Sequence, residues 1–214
     1  MLELTEKRLA SLLWMLKNKG KKWSILELNK GSAGLSYRPM FSFVKELEEK
    51  GFVRKDSKTA EYGVTRVVDL VRFVSLAKPV GSLKTLNFHS PLEFPKTLKM
   101  IQESKLPHAF TVFAGSELYR PYVKTDQVHF YFKKGEEEKW SKYLLSKNCL
   151  KAQKSQANLF LIPTEQEAIF KDAAKVKGYF VAPTSILLSD LLSFGGLAEE
   201  QANFLMEEWL NNRL

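Results

Sequence analysis

The chain has 214 residues, of which 44% are hydrophobic and 12% aromatic, a composition typical of folded rather than disordered proteins. No segment approaches the roughly 20 apolar residues that a membrane-spanning helix needs, so we expect no association with a membrane. A single cysteine, Cys149, excludes an internal disulfide, and neither cysteines nor histidines cluster at metal-ligand spacing. The N-terminal residues carry charges among their leucines, unlike a signal peptide, and we expect a cytoplasmic protein without a metal or other cofactor.

The net charge of +9 is concentrated near the N-terminus. Residues 1–80 contain 16 Lys and Arg against 9 Asp and Glu, whereas residues 81–214 contain 17 against 15. A small basic domain is typical of nucleic-acid binding, and a generally basic soluble protein is the simpler alternative.

Apolar residues at helical spacing predict two helices at the start of the chain. Thr5 is expected to cap the first helix, and Gly20 to end it. The buried stripe of this helix is predicted to consist of Leu9, Leu12, Leu13 and Leu16. A short second helix is predicted over 24–29, followed by a tight turn over 30–34, where two glycines tolerate positive φ.

A third helix is predicted to begin after a cap at Ser36, with Pro39 in its first turn, where proline costs no hydrogen bond. Its buried stripe is predicted to be Met40, Phe43, Val44 and Leu47. Its outward face is predicted to present Arg38, Ser42, Lys45 and Glu49, with Tyr37 and Phe41 on the flanks. Gly51 and Phe52 predict a Schellman motif at the end of this helix.

A β-hairpin is predicted next, with strands over 52–55 and 61–65 and a polar tip over 56–60. Helix, helix, turn, helix and basic hairpin is the order of a winged helix-turn-helix, whose third helix enters the major groove of double-stranded DNA. The candidate DNA-binding residues are Tyr37, Arg38, Phe41, Ser42, Lys45, Arg54, Lys55 and Lys58.

These residues have different expected roles. Arg38 can make a bidentate contact with a guanine edge, whereas Tyr37, Ser42 and Lys45 would hold phosphates or support that contact. The three basic hairpin residues would supply attraction that is independent of sequence and weakened by salt. The alternatives are that the aromatic side chains simply pack and the lysines form a solvated face, or that the winged helix docks a protein.

A helix over 65–77 and a loop-rich passage over 80–95 divide the chain, and we predict domains over 1–78 and 79–214. In the second domain we predict strands over 110–114, 128–132, 158–162 and 179–181, and helices over 94–103, 136–147, 185–194 and 198–211. Thr164 and Glu167 predict a capping box for one further helix. The expected fold class is therefore α+β: an N-terminal winged helix-turn-helix followed by a mixed α/β C-terminal domain.

Three stretches of the second domain resemble the AbiEi-type antitoxin family. YFVAPTSILLSDLLSFGGLAEEQANFLMEEWL is similar to the C-terminal signature, with Asp190-Leu191 and Gly195-Gly196 at its characteristic places. FTVFAGSELYRPY is similar to the family's strand, glycine turn and helix, and ANLFLIPTEQEAIF to its strand and capped helix. The resemblance covers residues 110–214 and departs at Leu197, where an arginine often follows the glycine.

This resemblance implies an antitoxin of a toxin–antitoxin pair. The winged helix would bind inverted repeats in its own promoter and repress transcription. The second domain would neutralise a nucleotidyltransferase-like toxin protein. The sequence itself leaves the oligomeric state and the operator open.

Catalytic motifs are incomplete, and we expect no enzymatic activity. Gly115-Ser116 followed by Asp126 is similar to the start of a nucleotidyltransferase site, but the second carboxylate needed to hold two metal ions is missing. A nuclease of the Asp…Glu-x-Lys type would need a glutamate before Lys133 or Lys134. Two alternatives remain: a protein-interaction adaptor built on a winged helix, and a diverged nucleotidyltransferase acting on nucleic acid.

Overall fold

The computed structural model describes residues 4–32 and 35–211, and the chain divides into two compact units, Met1–Lys78 and Pro79–Leu214. Together they form a mixed α/β protein with one multistranded sheet. No helix within the described ranges is long and apolar enough to cross a membrane.

The described part of the first unit contains four helices and a two-stranded hairpin. The elements are α1 (Glu6–Lys17), α2 (Ile25–Ser32), α3 (Tyr37–Glu49), β1 (Val53–Lys55), β2 (Tyr62–Val64) and α4 (Val67–Ala77). The Thr5 side chain accepts from the Arg8 amide at 3.3 Å, as expected of a cap, and the four predicted leucines of α1 are buried. The helix ends at Lys17, before the predicted Gly20.

The second helix is longer than predicted. It begins after a capping box in which the Ser24 amide donates to Glu27 Oε2 at 2.7 Å, and the Glu27 amide donates to Ser24 Oγ at 3.2 Å. Lys30, Gly31 and Ser32 are helical, so the predicted turn is wrong over these residues; Ala33 and Gly34 lie outside the described residues. A Cβ on Gly31 would clash with the Trp14 indole ring, so this glycine lets α1 and α2 pack closely.

The second unit is built on a seven-stranded sheet in the order β6-β3-β7-β5-β4-β9-β8. Its strands are β3 (Leu86–His89), β4 (His108–Thr111), β5 (Val128–Lys133), β6 (Leu150–Lys151), β7 (Leu159–Thr164), β8 (Ala174–Val176) and β9 (Tyr179–Val181). The pairs β5–β7 and β4–β9 are parallel, and the other pairs are antiparallel. The sheet is therefore mixed.

Six helices accompany this sheet in the part of the chain that is described. They are α5 (Phe94–Glu103), α6 (Val112–Tyr119), α7 (Glu137–Ser146), α8 (Glu167–Lys171), α9 (Thr184–Phe194) and α10 (Leu197–Leu210). The core is aromatic: Phe110 of β4 lies opposite Phe130 of β5, and Trp140 of α7 packs 4.8 Å from the Phe130 ring. β4 is buried along its whole length and β5 from Val128 to Phe132, which explains the apolar runs of the sequence.

Three predictions for this unit are wrong in detail. The passage over 80–95 contains β3, which gains its hydrogen bonds from β6 and β7. The strand predicted over 110–114 becomes helix α6 at Val112, whose φ is +47°. Gly115 lies inside α6, where a side chain would not fit: a Cβ there would lie 2.8 Å from Leu187 Cδ1 and 3.0 Å from the Phe110 carbonyl oxygen. Thr164 belongs to β7 and Gln166 precedes α8, so the predicted capping box is absent from this described segment.

Candidate nucleic-acid interface

Helix α3 is held on the first unit by four side chains that are fully buried. These anchors are Met40, Phe43, Val44 and Leu47, as predicted. The helix ends in a Schellman motif, because the Phe52 amide donates to the Leu47 carbonyl and the Gly51 amide to the Glu48 carbonyl, both at 2.9 Å, with a φ of +74° at Gly51. Both the packing and the termination of α3 therefore fix its orientation in this unit.

The N-terminal half of α3 presents an exposed face. Tyr37 is 54% exposed and Phe41, one turn later, is 42% exposed, while Arg38 and Ser42 are exposed beside them. Arg38 forms no ion pair with any residue that the structure describes. An exposed guanidinium, two exposed aromatic rings and a hydroxyl on one half of a helix can contact base edges, phosphates or thymine methyl groups. We call Tyr37, Arg38, Phe41 and Ser42 the recognition face.

Lys45 differs from the other predicted residues of this helix. Its ammonium lies 2.6 Å from Glu48 Oε2, and the hydrogen bond to Glu48 is the main reason why the pKa of Lys45 is raised. Glu48 Oε1 also accepts from the Lys55 amide at 3.2 Å. Glu48 therefore ties α3 to the hairpin, and the charge of Lys45 is partly compensated before any ligand arrives.

The hairpin places its basic residues at the surface. Arg54, Lys55 and Lys58 are all exposed. The Asp56 carboxylate shapes the tip by accepting from the Lys58 amide at 2.8 Å and the Thr59 amide at 3.3 Å. It also pairs with the Lys22 ammonium, and these hydrogen bonds, led by the one from Lys22, lower the pKa of Asp56 to about 2.

The hairpin is also fixed to the connection between α1 and α2. Trp23 and Tyr62 exchange two backbone hydrogen bonds of 2.9 and 2.8 Å, and their rings stack at 5.7 Å. Sequence reasoning missed Lys22 and the buried Trp23 as residues that hold the hairpin in place. No local pattern could have found them, because their partners lie more than 30 residues further along the chain.

The residues considered for catalysis are dispersed or buried. Ser116 is buried in α6 and donates to the Phe113 carbonyl at 3.1 Å, whereas Asp126 is exposed before β5. Lys133 and Lys134 form surface ion pairs with Glu167 and Glu165. Among the described residues, no group of three or more His, Cys, Asp and Glu side chains is arranged to hold a metal ion.

A buried polar cluster lies between the sheet and α9 of the second unit. The Thr111 hydroxyl donates to Asp190 Oδ2, and the Tyr131 hydroxyl lies 3.0 Å from both carboxylate oxygens of Asp190. Burial raises the pKa of Asp190 to about 7, although both hydrogen bonds oppose this shift, and the pKa of Tyr131 is also raised by burial. The cluster joins β4, β5 and α9 by hydrogen bonds inside an apolar core.

Comparisons of the chain with models of protein families, with curated proteins and with solved structures found no match.

Proposed function

We propose that this protein is a DNA-binding transcriptional regulator whose first unit is a winged helix-turn-helix. In this arrangement the recognition face of α3 enters the major groove, and Arg38 contacts a guanine edge. The observation that carries the proposal is the two-sided character of α3: four fully buried anchors on one side and an exposed cationic and aromatic face on the other.

The charge along α3 supports one orientation on DNA. The only basic residue in its first two turns is Arg38, whereas its C-terminal half carries Glu46, Glu48 and Glu49 against the single cation Lys45. Phosphates attract the first region and repel the second. The N-terminal half would therefore lie deepest in the groove, which is how recognition helices of helix-turn-helix proteins are placed.

The hairpin is proposed to act as the wing. Arg54, Lys55 and Lys58 are exposed on a hairpin whose tip is ordered by Asp56 and whose base is joined to Trp23. Lysines at such positions bind phosphates without reading sequence. The wing would therefore strengthen binding to every duplex, while the recognition face would select among them.

The second unit is proposed to be an AbiEi-like antitoxin domain. The support is the sequence resemblance over residues 110–214, in which Asp190-Leu191 lies in α9 and Gly195-Gly196 separates α9 from α10. On this proposal the protein represses its own promoter, and the second unit neutralises a nucleotidyltransferase-like toxin.

Fluorescence anisotropy with two duplexes tests the DNA-binding proposal. The wild-type chain should bind a duplex from its own promoter at least about tenfold more tightly than a random duplex of equal length. Arg38→Ala should remove most of that preference, because a bidentate arginine contributes about 1–3 kcal/mol of discrimination. Arg72→Ala, an exposed arginine on α4, is the matched control and should change neither affinity. Equal affinity of the wild type for both duplexes would exclude base reading.

A further inference from the structure

The second unit contains a cavity of about 150 Å³ beside the central strands. His129 of β5, Phe160 of β7 and Phe194 at the end of α9 form its aromatic wall, and Val80 adds an aliphatic one. Lys154 lies at the cavity as its one cationic lining residue, and none of the described lining residues is acidic. A cavity of this size accommodates a molecule with a benzene-sized body.

His129 is the unexplained polar group of this cavity. Its side chain is buried, its ring stacks on Phe160 at 4.6 Å, and the Phe194 ring lies nearly perpendicular to it at 5.3 Å. No atom in the described ranges forms a hydrogen bond with its Nδ1 atom. Buried polar atoms are almost always hydrogen-bonded, because an unsatisfied one costs about 1–3 kcal/mol. A ligand that supplies a polar atom would remove this cost.

The electrostatics of the cavity favour an anion. Burial, followed by the charge of Lys154, lowers the pKa of His129 to about 3, so the imidazole is neutral at pH 7 and offers one N–H donor. The Lys154 ammonium donates to the Gly81 carbonyl at 3.1 Å, which uses one of its three N–H groups. Two donors of the ammonium are left for a carboxylate.

We infer that this cavity binds a small organic carboxylate with a compact aromatic or aliphatic body, of about the size of benzoate. The carboxylate pairs with Lys154 and reaches His129, and the body packs against Phe160 and Phe194. This inference stands on the second unit alone and does not depend on DNA binding.

Isothermal titration calorimetry of the full chain at pH 7 tests the inference with three probes. Benzoate should bind with a Kd of about 1 mM or tighter, as expected for a ligand of this size. Nitrobenzene has the same shape without the charge, and inorganic phosphate has the charge without the body. Both should bind at least about fivefold more weakly than benzoate. Absence of saturable benzoate binding, or equal binding of either comparison probe, would overturn the inference.

Two variants locate the ligand. Lys154→Met keeps the aliphatic stem, and should weaken benzoate at least about fivefold while leaving nitrobenzene unchanged. Lys151→Met, at an exposed lysine of β6 outside the cavity lining, is the matched control. His129→Phe preserves the ring stacking and should weaken benzoate but not nitrobenzene. Unchanged benzoate affinity in both Lys154→Met and His129→Phe would place the ligand elsewhere and contradict the proposed site.

Discussion

Asp190 and His129 are two buried groups of the second unit whose pKa values move in opposite directions. Burial raises the pKa of Asp190 from 3.8 to about 7 and lowers the pKa of His129 from 6.5 to about 3. Between about pH 4 and 6.5 the unfolded Asp190 loses its proton while the folded one keeps it, so this group destabilises the fold as the pH rises. The unfolded His129 binds a proton that the folded one does not, so this group destabilises the fold as the pH falls.

Asp190→Asn should separate these opposing contributions. The amide keeps the shape of the carboxyl beside Thr111 and Tyr131 but cannot ionise. Only the wild type loses stability as the pH rises. The unfolding free energy of the variant minus that of the wild type should therefore increase from pH 4 to pH 8, by on the order of 2–4 kcal/mol. Urea unfolding at each pH, followed by the NMR signals of β5, measures this difference. A difference that does not change with pH would show that Asp190 is not protonated in the folded protein.

His129→Phe should give the opposite dependence. The unfolding free energy of this variant minus that of the wild type should be largest near pH 4 and should fall as the pH approaches 7. At low pH the wild type must release a proton from His129 in order to fold, and this cost disappears as the pH rises, whereas the variant has no such group at any pH. The same urea titrations provide the measurement. A relative stability that increases with pH would mean that His129 is charged in the fold.

The Schellman motif that ends α3 can be tested through Gly51. Its φ of +74° is unfavourable for any residue with a Cβ, so Gly51→Ala should reduce the unfolding free energy by about 1 kcal/mol. Gly20→Ala is the matched control, because Gly20 also has open space around it but no positive φ. Urea unfolding of both variants measures the two changes in unfolding free energy, and Gly51→Ala should show the larger loss. Equal losses would contradict the claim that the positive φ at Gly51 requires a glycine.

The hairpin can be tested through the salt dependence of DNA binding. If Lys55 and Lys58 each contact a phosphate, replacing both with Ala should reduce the slope of log K against log salt by up to about 2. Lys96→Ala with Lys99→Ala on α5 is a control of equal charge, and it should leave the slope unchanged. An unchanged slope in the hairpin variant would exclude the wing from the interface.

The sequence predicted elements best where the signal is local. The buried stripe of α3, its end at Gly51 and the bounds of α5 agree with the structure, because helical spacing and capping involve residues a few positions apart. The strand β3 was missed because it is short and takes its hydrogen bonds from β7, about 70 residues later in the chain.

At the candidate site, too, the sequence predicts what nearby residues determine and does not predict what tertiary contacts determine. The exposure of Arg38 and Ser42 follows from helical geometry, and the structure agrees. The Glu48 partner of Lys45 lies three residues away, a spacing at which oppositely charged side chains of a helix can pair, so the sequence alone indicates this ion pair. The ion pair of Lys22 with Asp56 depends on tertiary packing, and no pattern within either segment encodes it.

The division into two units predicts that two activities can be separated in the intact chain. Arg38 lies in the first unit, whereas the proposed antitoxin domain is the second. Arg38→Ala should therefore derepress a reporter driven by the protein's own promoter, yet still protect cells that express the cognate toxin. A reporter strain that also carries an inducible gene for the toxin that this proposal requires measures both effects. Loss of protection by a correctly folded Arg38→Ala chain would contradict separate roles for the two units.

A titration of the isotope-labelled full chain with its promoter duplex, followed by amide NMR shifts, shows which surface binds DNA. We expect the largest shifts in the recognition face of α3 and in the hairpin around Lys55 and Lys58, with smaller shifts throughout the second unit. If the chemical shifts of those amides stay unchanged while other amides shift, or if no amide shifts at low salt, α3 is not the DNA-reading helix and the regulator proposal is wrong.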